Sequence, residues 1–259
     1  MKILFYDAMQ DSDAPDTLKS PSLKDTYLFD SGPLSVEFSK PAAIDCVGIA
    51  NCLPGAKITI TAQRNKYAII GGNAETQAFE TALLGGDAGL TFDDITIGDS
   101  EFDTFEITFT EDGLYLFDKN PFTYQALTIE APDVTVGRLA LGRAVDVPTS
   151  VAKEPGYRST AAPQSTLSGQ VIAGAGGYAY RAVSLESRYK IGPEAMEEIA
   201  SGYRAIGAGY PFFIDLSTES YKLPFDKLYA TEKSQQAMIF AGGINRFLYS
   251  KRWDFEEAF

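Results

Sequence analysis

Short runs of alternating apolar and polar residues dominate the first half of the chain. In LSVEFSK, Leu34, Val36 and Phe38 recur at every second position, the signature of a strand with one face in a core. AIDCVGIANC places Ile44 and Cys46 on one side and Val47 and Ile49 on the other, as expected of a strand covered on both faces. A Pro-Gly turn at 54 and 55 leads into KITITA, where Ile58 and Ile60 alternate with Thr59 and Thr61, so the two segments predict a hairpin or near neighbours. Further strands are predicted at 3–6, 67–70, 90–97, 104–110, 113–117, 125–131 and 134–142. Residues 7–25, rich in Asp, Ser and Pro, predict a loop, and 73–86 is the one short helix candidate in this half. Gly, Asp and Pro punctuate the strands about every 8 to 12 residues, the spacing of a sandwich or jelly roll, and the long helical crossovers of a Rossmann-type domain are missing. Residues 1–147 are therefore expected to form a β-sandwich domain of jelly-roll type.

The pattern changes from about residue 146. Residues 148–177 are rich in Pro, Ser, Thr, Ala and Gly with few large apolar side chains. Such a stretch cannot build its own core, so it predicts an extended linker or assembly arm that orders against something else. GAGG at 174–177 has neither the Gly-Lys-Ser/Thr nor the βαβ frame of a phosphate loop and reads as a hinge. Residues 178–259 predict a small α+β domain. Alternation resumes over 178–190; Pro193 opens a helix in which Met196, Ile199 and Tyr203 recur at helical spacing; and strands follow at 211–216, near 226–231 and in the aromatic-rich terminal stretch. The fold class expected is mainly β.

Charge narrows the partners. Lys and Arg number 22 against 35 Asp and Glu, a formal charge of −13 with no histidine. That field repels phosphate backbones, and no basic run offsets it, so no nucleic-acid partner is expected. The amino-terminal apolar patch ends at Asp7 and no stretch of 18 apolar residues follows, so no membrane span is expected and synthesis in a cytoplasm is the simplest reading. Cys46 and Cys52 are too few for a disulfide framework or a zinc site. Reduced thiols are expected, with a disulfide only if a tight hairpin brings the two together.

The lack of histidine removes the usual general base and the Ser-His-Asp and Cys-His arrangements. Carboxylate chemistry would draw on Asp93, Asp94, Asp99, Glu101, Asp103 and Asp112, but a glycosidase needs two carboxyls facing across a cleft, and a solvated acidic rim on β loops is the plainer expectation. No catalytic residue, cofactor or resident metal is expected. Calcium is the one candidate ion, at GDSEFD 98–103 and the acidic turn at 111 and 112, although the EF-hand pattern is missing. Tyr115 and Phe122 are candidates to stack on a sugar. Phe247, Tyr249, Trp253, Phe255 and Phe259 persist to the last residue, where a free end normally frays, so they predict either a central strand or a protein interface.

Taken in order, AIDCVGIANCLPGAKITITA at 43–62, TFEITFTEDG at 104–113, VTVGRLALGRAVDVP at 134–148, SLESRYK at 184–190, YPFFIDLS at 210–217 and FLYSKRWDFEEAF at 247–259 resemble structural proteins of tailed-bacteriophage tails and necks that carry a galactose-binding-like jelly roll. The blocks span about half the chain. The resemblance implies a non-enzymatic virion protein of the tail or neck, made in the host cytoplasm. It would join subunits or rings or act as an adaptor, with copies of itself and other virion proteins as partners. It does not imply a conserved sugar site; a carbohydrate-binding module for host-surface recognition, with a glycan as ligand, is the alternative.

Overall fold

The computed structural model describes residues 1–64, 102–117, 122–149, 153–159, 164–165, 171–172, 179–206, 210–217, 226–233, 239–243 and 246–258. The chain forms two units, one of Asp7–Arg143 and one of Met1–Tyr6 with Ala144–Phe259. Both are built mainly of antiparallel strands, the class the alternation predicts. β1 (Lys2–Leu4) opens the chain and belongs to the second unit.

In the unit Asp7–Arg143 the strands are β2 (Tyr27–Leu28), β3 (Leu34–Ile44), β4 (Cys46–Cys52), β5 (Lys57–Arg64), β6 (Phe102–Thr108), β7 (Gly113–Leu116), β8 (Phe122–Glu130) and β9 (Thr135–Gly142). They make two four-stranded sheets, ordered β2-β9-β4-β7 and β3-β8-β5-β6. Val36, Phe38, Ile58, Ile60, Leu127 and Ile129 of the second sheet share one buried core with Val47, Ile49, Leu139 and Leu141 of the first, so the unit is a sandwich. Each such side chain contributes roughly 1.5–3 kcal/mol when fully buried.

Two expectations need correction here. β4 and β5 form no hairpin, because they belong to different sheets. β4 is buried from Cys46 through Ala50 and pairs with β9, itself buried from Val136 onward, whereas the alternating β5 pairs with β6 and β8. The Pro54–Gly55 turn carries the chain across; Gly55 adopts φ +88°, which its missing Cβ allows, and donates its N–H to the Phe109 carbonyl at 2.8 Å. Residues 7–25 are more than a loop. Asp7 accepts the Met9 N–H and caps a 3-10 turn at Ala8–Asp11, and α1 (Asp16–Lys19) follows Pro15. Met9 and Leu18 are fully buried in the sandwich core, and two isolated apolar residues leave no period to detect.

The other unit takes β1 and continues with β10 (Val145–Asp146), β11 (Lys153–Ser159), β12 (Gln164–Ser165), β13 (Val171–Ile172), β14 (Ala179–Ile191), α2 (Pro193–Ile206), β15 (Phe212–Asp215), β16 (Lys227–Glu232), β17 (Ile239–Gly243) and β18 (Arg246–Glu257). Eight strands form one sheet, in the order β10-β1-β15-β16-β18-β14-β11, with β17 also on β18. The expected first domain, 1–147, thus loses its first six residues and its last four, since β1 pairs with β10 and β15 and all three belong to the other unit. α2 begins at Pro193, carries Glu194 in its first turn and Arg204 in its last, and so matches its own dipole. It lays Ile199 on a core of Ile3, Val183, Leu185, Ile214, Trp253 and Phe255. The helix candidate at 73–86 and the strands expected at 67–70 and 90–97 lie outside the described residues.

Candidate assembly edge

Among the described residues β11 ends the eight-stranded sheet, with β14 as its neighbour. Their ladder runs from Lys153 opposite Leu185 to Ser159 opposite Ala179. Beyond it Gln164 pairs with Ile172 and Ser165 with Val171. Both ladders fold the chain back near the same point, so β11–β14 and β12–β13 succeed one another along one reversal. Seven residues of the expected 148–177 linker are therefore an ordered sheet edge, because their extended backbone completes its hydrogen bonds on β14.

The two parts of this reversal differ in chemistry. β11 carries Lys153, Glu154, Pro155 and Arg158, the charges and missing N–H that discourage indiscriminate pairing at a sheet edge. From Ser159 to Tyr180 there is no charged residue at all. Ion pairs fasten the base: Arg158 to Glu256 at 2.5 Å, Lys233 to Glu256 at 2.9 Å and Arg181 to Glu257 at 2.7 Å.

The carboxy-terminal aromatics take the other of their two predicted roles. β18 lies inside the sheet, with β14 on one side and β16 and β17 on the other. Trp253 and Phe255 are buried, 5.8 Å apart between ring centroids, and the Trp253 indole N–H donates to Ser187 Oγ at 3.1 Å. They are core residues and not an interface, since strand alternation turns them to the face that α2 covers. Tyr249 is half-buried against the same core; the Phe247 side chain and Phe259 lie outside the described residues.

Tyr115 is likewise buried. Its hydroxyl accepts the N–H groups of Thr110 and Glu111 and donates to the Glu111 carbonyl at 2.7 Å, so it braces the turn between β6 and β7 and offers no free face to a sugar. Phe122 is on β8, and its side chain lies outside the described ones. Asp103 is bound to Arg64 and Tyr124, and Asp112 accepts the Asn51 N–H at 2.8 Å. Asp93, Asp94, Asp99 and Glu101 lie outside the described residues. Cys46 and Cys52 share one strand six residues apart, a rise of roughly 20 Å that no disulfide spans. Among the described residues no three His, Cys, Asp or Glu side chains gather as metal ligands. An open pocket of about 300 Å³ has Phe29 and Ala131 in its lining and Asp30, Glu130 and Asp133 as its acids.

Three buried charge clusters were not foreseen. Lys251 donates to Glu232 at 2.7 Å, with its ammonium 4.5 Å from the Trp253 ring centroid and 4.8 Å from that of Tyr203. Tyr203 donates its hydroxyl to Glu232; burial first, then that carboxylate, pushes its phenol far above the usual range. In the sandwich, Arg64 grips Asp103 with two bonds, and Tyr124 donates to the same carboxylate. Arg138 is 3% exposed; its Nη2 meets Asp7 at 2.5 Å, while among the described residues its Nε and Nη1 have no hydrogen-bond partner. Burial raises the Asp7 carboxyl above its ordinary value, outweighing the Arg138 charge. An arginine within VGRLALG, in a strand otherwise apolar on both faces, was the available signal.

The chain matches no known family model, no curated protein and no solved structure.

Proposed function

We propose that the chain is a non-enzymatic structural protein of a phage tail or neck, which joins copies of itself or neighbouring virion proteins through the reversal that extends from β11 and β14. The observation that carries this reading is the uncharged ribbon itself. Among the described residues β12 and β13 pair only with each other, and such a two-stranded ribbon is marginally stable in water until a third strand is added. In a chain of net charge −13, a stretch free of charge from Ser159 to Tyr180 is also where another acidic surface can approach without repulsion. The motif blocks quoted from the sequence supply the phage setting, and the buried ion pairs act as internal ties.

The test is location and association. The purified protein, alone and within a tail or neck particle, is measured by native mass determination and electron microscopy. A ring or a defined position in the particle supports the reading, and a monomer absent from every such particle overturns it. Replacing residues 160–178 with Asn-Gly, which closes the ladder at Ser159 and Ala179 with a two-residue turn, should abolish incorporation while leaving the melting temperature unchanged.

A further inference from the structure

The net charge of −13 is not shared between the two units. Asp7–Arg143 holds 22 Asp and Glu against 9 Lys and Arg, whereas Met1–Tyr6 with Ala144–Phe259 holds 13 Asp and Glu against 13 Lys and Arg. The sandwich therefore carries the whole excess, and the large-sheet unit has a formal charge of zero. Copies of a strongly charged unit repel one another, and copies of a neutral one meet no such barrier.

The path of the chain separates the same two parts. β1 and β10 are the arms of one antiparallel pair, with Lys2 opposite Asp146 and Ile3 opposite Val145, and the Val147 N–H donates to the Met1 carbonyl at 2.7 Å. All of Asp7–Arg143 is spliced between those arms. The ends of the spliced part are held side by side. Asp7 Oδ1 accepts the Met9 N–H at 3.0 Å and the Leu141 N–H at 3.1 Å, and Arg138 donates to Oδ2, so its first residue is fastened to its last strand, β9. A unit with adjacent ends fits into a hairpin without pulling the arms apart. Each part also has a core of its own, with Val47, Ile60 and Leu141 in the sandwich and Ile3, Ile214 and Trp253 beside α2.

We infer that Asp7–Arg143 is a self-contained acidic module inserted into the β1–β10 hairpin, and that a second copy of the chain is met through the charge-balanced large-sheet unit alone. The second half rests on the proposed association of copies, and the first half does not. β11 and β14 both belong to the large-sheet unit, so the proposed contact and the absence of net charge coincide.

Amide exchange of the full chain tests both halves. Ile60→Ala should speed exchange in β3–β9 and leave β14–β18 unchanged; equal acceleration in the two sets would show that the module is not self-contained. Between concentrations below and above the onset of association, added protection should appear in the large-sheet strands, β11 and β14 first, with β3–β9 exchanging at one rate throughout. Protection gained in β3–β9 would overturn the inference while leaving the association standing. A chain that stays monomeric at every concentration would overturn the association itself and the second half with it, whereas the Ile60→Ala comparison would still decide the first. A shortened chain, with Asp7–Arg143 replaced by a six-residue Gly-Ser linker, gives an independent answer by native mass determination. It should unfold cooperatively and associate at a concentration no higher than the full chain requires, because the mutual repulsion of the modules is gone. Failure to fold, or a folded monomer where the full chain associates, would overturn the inference.

Discussion

In the large-sheet unit, Lys251 and Glu232 are buried together and Tyr203 and Trp253 complete the cluster, so the cation, the carboxylate and the phenol each have a partner. In the sandwich, Arg138 is buried and Asp7 nearly so, yet among the described residues two nitrogens of the guanidinium find no partner. A buried pair returns its desolvation cost only when the remaining donors and acceptors are filled. The first cluster should therefore be close to irreplaceable, and the second should be a net burden that the rest of the sandwich core offsets.

The largest effect should come from breaking the complete cluster. Glu232→Ala strands a buried ammonium and removes the Tyr203 acceptor, and should lower the unfolding free energy by about 3–5 kcal/mol in a denaturant titration. A loss below about 1 kcal/mol would mean that water reaches Lys251 and that the two sites are alike. Paired replacements sharpen the contrast. Asp7→Asn with Arg138→Met removes the unfilled donors, keeps an oxygen for the Met9 and Leu141 N–H groups and should be neutral or stabilising. Glu232→Leu with Lys251→Met leaves the Tyr203 hydroxyl without its acceptor and should cost about 1–3 kcal/mol. Equal outcomes for the two double variants would refute the distinction.

A smaller contrast concerns one glycine in each unit. A Cβ on Gly137 would come 2.7 Å from the Cβ of Asn51, which is held at φ +52° and anchored to Asp112 and Leu23. One on Gly202 would come 2.5 Å from the Phe5 ring. Overpacking costs about 1–3 kcal/mol at either site, but alanine recovers about 1 kcal/mol of helix propensity inside α2. Gly137→Ala should thus lower the melting temperature more than Gly202→Ala, and the reverse order would show that Phe5 cannot give way.

Much of the architecture was legible because strand alternation is a local property. Val36, Phe38, Ile58 and Ile60 point into the core for the reason their spacing suggests, and α2 begins at its proline. The candidate sites were less legible. Trp253 and Tyr115 are aromatic whether they face a partner or a core, and only the placement of β18 and of the β6–β7 turn tells which.

By itself the sequence determined the mainly β class, the period of most strands, the helix after Gly192 and a chain of net charge −13, since these follow from residue types and near neighbours. Tertiary structure alone decided that β1 joins strands more than 140 residues away, that β4 and β5 part into different sheets and that Asp7 finds Arg138. Those outcomes depend on which strands complete each other's backbone hydrogen bonds and which charges can be buried together. Such choices are made between distant segments, and no local pattern records them.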